Sequence, residues 1–153
     1  MSPHLLIRKD LEVSVNKSDR RESKVEFDNT YFKIYRDAVN LVENRFGSKD
    51  ESKRSYISFM SSAIMRSVTD LGTYIRIANS IYPTCNGEYA ERRIAQDKAI
   101  GLCYDLMTKY QLVLSELHIP DDKYTNEIKQ LIHEINCLKK WRSSDNERFR
   151  NLG

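Results

Sequence analysis

The sequence predicts an all-α protein: an antiparallel up-down-up-down four-helix bundle behind a flexible N-terminal arm. Three observations carry that prediction. The 153 residues include five Gly and three Pro, and these breakers cluster at a handful of places. Four stretches place apolar residues at alternating steps of three and four, the spacing that lines one face of a helix. No stretch shows the strict alternation of a half-buried strand. A chain of this size suits one domain of ~100–150 residues. The expected division is an arm over 1–26, a bundle over 27–143 and a basic tail over 144–153.

The arm contains "NKSDRRESK", which is polar and lacks period; "LLI" and "LEVSV" are candidate docking or strand pieces. The first helix is expected to start near Asp28, an N-cap residue type. Tyr31, Tyr35, Ala38 and Val42 form its seam, and Gly47 ends it. The second carries Ile57, Met60, Ile64, Ser67, Leu71, Tyr74, Ala78 and Ile81, and stops before Pro83. In the third, Ala99, Cys103, Leu106, Tyr110, Val113 and Leu117 repeat the stepping until "HIPDD". The fourth begins around Asp121 or Asp122 and carries Tyr124, Ile128, Leu131, Ile135 and Leu138. Its next step is Arg142, so the seam ends beside Trp141, the single tryptophan, which is expected to cap the bundle. Short connections between such helices favour the up-down topology.

Composition narrows the function. Charged residues make up 31% and hydrophobic ones 40%, which is globular rather than disordered. The net charge of +3 permits an anionic partner without demanding one. Cys85, Cys103 and Cys137 have no short spacing, so reduced thiols and a cytoplasmic location are expected. No apolar run is long enough for a membrane span.

Enzymatic signatures are missing. A di-iron bundle needs Glu-x-x-His pairs, and none of His4, His118 and His133 has a Glu three residues before it. The "HE" of His133 and Glu134 lacks the second His of a zinc protease motif. His133 and Cys137 share a helix face and are a possible metal grip, but no other ligand is in view, so no metal or cofactor is expected. Glycine-rich phosphate loops are absent, and the Arg-x-x-x-x-His pattern of some helical ribonucleases does not occur around the later histidines. The serines of "SYISFMSS" fall mainly on a polar face. The expectation is a protein without catalytic activity.

Run backward from Ala99, the third seam lands on Gln96 and Arg92, polar residues in core positions. A frayed, wet bundle end explains them simply; a surface facing a partner is the sharper reading. Most aromatics sit on the seams and belong to the core. Phe59 and Met65 lie on the polar side of the second helix and hint at a subunit contact. Basic residues are spread out: Arg66 and Arg76 on the second helix, Arg92, Arg93 and Lys98 opening the third, and Lys139, Lys140, Arg142, Arg148 and Arg150 closing the chain. In an antiparallel bundle the last two groups share one end, where they are candidates for one basic patch.

The stretches "RRIAQDKAIGLCYDL", "ELHIP" and "LKKWRSSDNERF", with four helices in about 125 residues, resemble a family of small bacterial four-helix-bundle proteins. That family includes the proteins of rRNA intervening sequences and the accessory variability determinant of diversity-generating retroelements. The resemblance spans roughly Phe27 to Phe149. It implies a non-enzymatic basic bundle, typically a homopentamer, that binds the element's reverse transcriptase and RNA during mutagenic copying. Carried onto this chain, it assigns anion binding to Arg92, Arg93, Lys139, Lys140 and Arg142, with Arg66 and Arg76. The modest net charge and residues 1–26 depart from the family pattern. The alternative reading is a protein-interaction bundle with no nucleic-acid role.

Overall fold

Four helices follow one another in the computed structural model, which describes the backbone of residues 17–153 and side chains from Glu26 onward. They are α1 (Lys17–Glu43), α2 (Arg54–Ser80), α3 (Asn86–Glu116) and α4 (Thr125–Arg148). The expectations for residues 1–16 lie outside the described residues. Each helix packs antiparallel to the next. The Tyr31 hydroxyl of α1 meets Val68 of α2, Lys53 at the start of α2 pairs with Glu116 at the end of α3, and Tyr110 of α3 packs on Tyr124 beside α4. Phe27 and Trp141 stack between α1 and α4 and close the ring, giving the up-down four-helix bundle.

α1 starts earlier than Asp28, so residues 17–26, assigned to the arm, are helical. Lys, Arg and Glu are good helix formers even without an apolar period. Asp28 itself is buried within the helix and is not its cap. The core face runs through Phe27, Tyr31, Ile34 and Ala38; Tyr35, expected on the seam, is exposed. Taking Phe27 as the starting point gives steps of four, three and four, which carry the stripe through Ile34.

One close approach sets the spacing of α1 and α2. The Tyr31 hydroxyl donates to the Val68 carbonyl at 3.0 Å. Gly72, one turn further along α2, leaves room for it: a Cβ there would overlap the Tyr31 phenol. The α1–α2 turn uses left-handed backbone at Arg45, Phe46 and Gly47. Phe46 tolerates this conformation because its ring is buried and its carbonyl accepts the Tyr124 hydroxyl.

α3 ends in a Schellman motif: Ile119 N donates to Leu114 O at 2.8 Å and His118 N to Ser115 O at 3.3 Å. His118 occupies the left-handed position at φ 55°, where glycine is usual. Pro120 then prevents continuation, and a short turn over Asp121–Tyr124 leads into α4. The buried faces of α2, α3 and α4 follow the predicted seams closely. The tail expected over 144–153 is instead part of the fold. α4 runs on to Arg148, Asp145 and Phe149 are buried, and Asn86 N, opening α3, donates to the Gly153 carbonyl at 2.9 Å. None of the described helices is long and apolar enough to cross a membrane.

Candidate nucleic-acid interface

The basic residues divide first by burial. A helix leaves its last carbonyls without intrahelical donors, and α2 stops just before Pro83. Arg92 of α3 supplies those donors: Nη1 reaches Ile81 O at 2.9 Å and Ala78 O at 3.4 Å. Its other edge grips Asp145 of α4 in a two-pronged pair, Nε to Oδ2 at 2.6 Å and Nη2 to Oδ1 at 2.9 Å. Gln96 Nε2 donates to the same carboxylate at 2.7 Å, and Arg148 Nη2 adds a bond at 3.0 Å. Arg92 is 1% exposed, and Gln96 and Asp145 are 0% exposed.

This end of the bundle is therefore closed and packed, where fraying was the simple expectation. Arg92 is withdrawn from the anion-binding set, because its donors serve α2 and Asp145. The signal in the sequence was present, since Arg92 and Gln96 lie on the α3 seam; its counterpart, Asp145, lies beyond the last apolar step of α4. Trp141 lies over the Arg92 guanidinium at 4.9 Å and stacks on Phe27 at 4.6 Å. It is fully buried, in line with the structural role expected of it. Phe149 covers the same guanidinium at 5.6 Å.

The remaining cations sort by partner. Arg66, Arg76, Lys139 and Lys140 are exposed and make no ion pair among the described residues. Arg150 pairs with Glu147 at 2.7 Å. Arg93 and Arg142, from α3 and α4, share Asp97 at 3.9 and 2.7 Å. The start of α3 and the end of α4 thus meet as the topology required.

These contacts define a strip along the α3–α4 groove. Tyr89, Arg93, Asp97 and Tyr104 line it from α3; Lys139, Arg142 and Asn146 line it from α4. Tyr89 and Arg93 both donate to the Asn146 side-chain oxygen. Lys139 Nζ donates to the Tyr104 hydroxyl at 3.2 Å and lies over its ring at 5.7 Å. Two cations, Arg93 and Arg142, share one carboxylate, and a third, Lys139, lies against the exposed Tyr104 ring. Such a surface suits a phosphate backbone with an unstacked base nearby. The sequence reading missed Tyr89, Asp97, Tyr104 and Asn146; the four-residue step from Tyr89 through Arg93 to Asp97 was the available signal.

Other cations lie elsewhere. The charge of Arg76 is felt by Tyr31 of α1, and that of Lys140 by Cys137 on the α1 side of α4. The cations without an ion pair therefore lie on more than one face, and the α3–α4 strip combines one of them, Lys139, with the Asp97-paired Arg93 and Arg142.

Two further polar groups bear on chemistry. Ser67 donates to Asp105 at 2.8 Å, and Lys109 donates to both at 2.7 and 2.6 Å. Ser67 is buried, so this trio clips α2 to α3 and offers no accessible nucleophile. His133 and Cys137 share a face as expected, and α1 adds the ligand the sequence did not reveal: Glu26, with its carboxylate 3.0 Å from His133 Nε2. Burial, then the charges of Glu26 and Glu134, push the Cys137 thiol up to about 12.

No family model, curated protein or solved structure matches the chain.

Proposed function

We propose that the protein is a non-enzymatic accessory scaffold that binds a reverse transcriptase and its template RNA, as in a diversity-generating retroelement. The observation that supports this reading is the α3–α4 strip, where Arg93 and Arg142 share Asp97 and Lys139 lies against Tyr104. The mechanism is electrostatic: these cations neutralise phosphates and release counterions. Arg66, Arg76, Lys140 and Arg150 extend the positive field around the molecule. In this proposal the scaffold works in the cytoplasm as a homo-oligomer, a pentamer by the family resemblance, so that several strips act on one RNA.

A second reading, a protein-interaction bundle without RNA, draws on exposed apolar residues. Phe59 is 70% exposed, and Ile94 and Leu112 are each 54% exposed. The two readings part on one titration. Binding of structured RNA at two salt concentrations should weaken at the higher one, with a log–log slope of about −2 to −3 if some three phosphates are contacted per strip. No binding at low salt, or no salt dependence, removes the RNA role and leaves the interaction module.

A further inference from the structure

A cluster of potential metal ligands joins α1 to α4 on the side away from the α3–α4 strip. His133 Nε2 lies 3.7 Å from Cys137 Sγ and 3.0 Å from Glu26 Oε1. All three ligand atoms fall within 4.8 Å of one another. Ligand bonds of ~2.0–2.3 Å at tetrahedral angles put neighbouring ligand atoms roughly 3.3–3.6 Å apart. The observed separations need only small side-chain adjustments to match. His133 and Cys137, four residues apart on one helix, provide a fixed pair; Glu26 closes on them from the neighbouring helix.

A second, independent feature is a buried polar group without a partner beside these ligands. Glu134, next to His133 and one turn before Cys137, is fully buried, and neither of its carboxylate oxygens has a hydrogen-bond partner among the described residues. Buried carboxylates are normally satisfied by donors or by a cation. The charges of Asp28 and Glu26 bear on it, and its own charge bears on Cys137. The region thus holds a surplus of acceptors beside a group of three ligand atoms.

We propose that Glu26, His133 and Cys137 bind a zinc-type divalent cation, beside the buried Glu134 carboxyl, which has no hydrogen-bond partner among the described residues. Imidazole and thiolate ligands select a borderline-soft metal over magnesium or calcium. The side chains of His133 and Glu26 are 48% and 49% exposed, which gives the ion an entry path and leaves a fourth position to water or an outside ligand. Coordination replaces the Cys137 thiol proton by the metal, and that proton leaves to solvent. The bound ion would pin Glu26, near the first described side chains of α1, to α4.

The test uses the full-length protein, stripped of metal and titrated with cobalt(II), then challenged with zinc. A thiolate-to-cobalt charge-transfer band in the near ultraviolet is expected, displaced by zinc. Cys137→Ser should abolish the band, His133→Ala should weaken binding at least about tenfold, and Glu26→Gln should weaken it by about tenfold. Cys85→Ser should leave the band intact. His133 is a surface position, so its alanine variant keeps the fold, and circular dichroism verifies this. Zinc should raise the unfolding temperature of the parent protein and not of folded His133→Ala. No cobalt binding, a spectrum without the thiolate band, or unchanged affinity in His133→Ala would overturn the site.

Discussion

Asp145, seven residues past Leu138 at the end of α4's seam, holds the guanidinium of Arg92 by two hydrogen bonds of 2.6 and 2.9 Å in a site closed to solvent. That pair joins three helices, because Arg92 also serves the C-terminal carbonyls of α2. Removing one partner strands the other charge. Asp145→Asn or Arg92→Met should each cost about 3–5 kcal/mol in urea unfolding. The Arg92→Met/Asp145→Leu double variant should cost clearly less than the sum of the single losses. Additive losses would show that the two residues act separately.

Tyr31 and Gly72 predict a steric rule. Gly72→Ala places a methyl group in the Tyr31 phenol and should destabilise, although alanine is the better helix former. Tyr31→Phe removes the bond to Val68 and should cost about 0.5–1.5 kcal/mol. Equilibrium unfolding checks both; a stabilised Gly72→Ala protein would contradict the close approach.

His118 closes α3 with a left-handed backbone. Glycine adopts that conformation without the Cβ penalty of roughly 1–2 kcal/mol. His118→Gly should therefore raise the unfolding temperature by a few degrees in a thermal melt. A lower unfolding temperature would mean that the histidine side chain makes contacts worth more than the strain.

Glu134 predicts a pH dependence. Burial, with the charges of Asp28 and Glu26 in addition, holds its carboxyl well above the ordinary carboxylate range. Its folded value is raised, so the folded state keeps the proton that the unfolded chain gives up above about pH 4.3. Stability from this group is fully present below that pH and is lost as pH rises through the folded value. Glu134→Gln should match the parent near pH 4 and become progressively more stable above it, in the presence of a chelator. Equal melting curves for the two proteins at pH 8 would contradict this.

The helices of the bundle were largely legible because an apolar stripe with 3.6-residue spacing records the core face directly. Ile64, Leu71, Leu106, Leu131 and Leu138 lie on both the predicted seams and the observed core. Two features escaped for physical reasons. The early part of α1 has no apolar stripe to read, so its helix rests on propensity and on continuation from Phe27. The closed end of the bundle is built from Arg92, Gln96 and Asp145; the seam put Arg92 and Gln96 at core positions, but their partner Asp145 lies past the last apolar step of α4 and far off in sequence. The candidate strip was half visible: the cations could be counted, but their distribution between the groove, the interior and other faces depended on which carboxylates they met. Glu26 similarly gained meaning only when α1 came alongside His133 and Cys137.

The proposed anion-binding surface is the α3–α4 strip, and the buried Arg92 is not part of it. Binding of structured RNA to Lys139→Glu/Arg142→Glu tests it most directly. Lys139 is exposed and Arg142 partly exposed, and neither belongs to the buried core. The double variant should fold with nearly the parent's unfolding temperature and lose at least about tenfold in low-salt RNA affinity, with a shallower salt slope. Unchanged affinity and slope in a folded double variant would contradict the account.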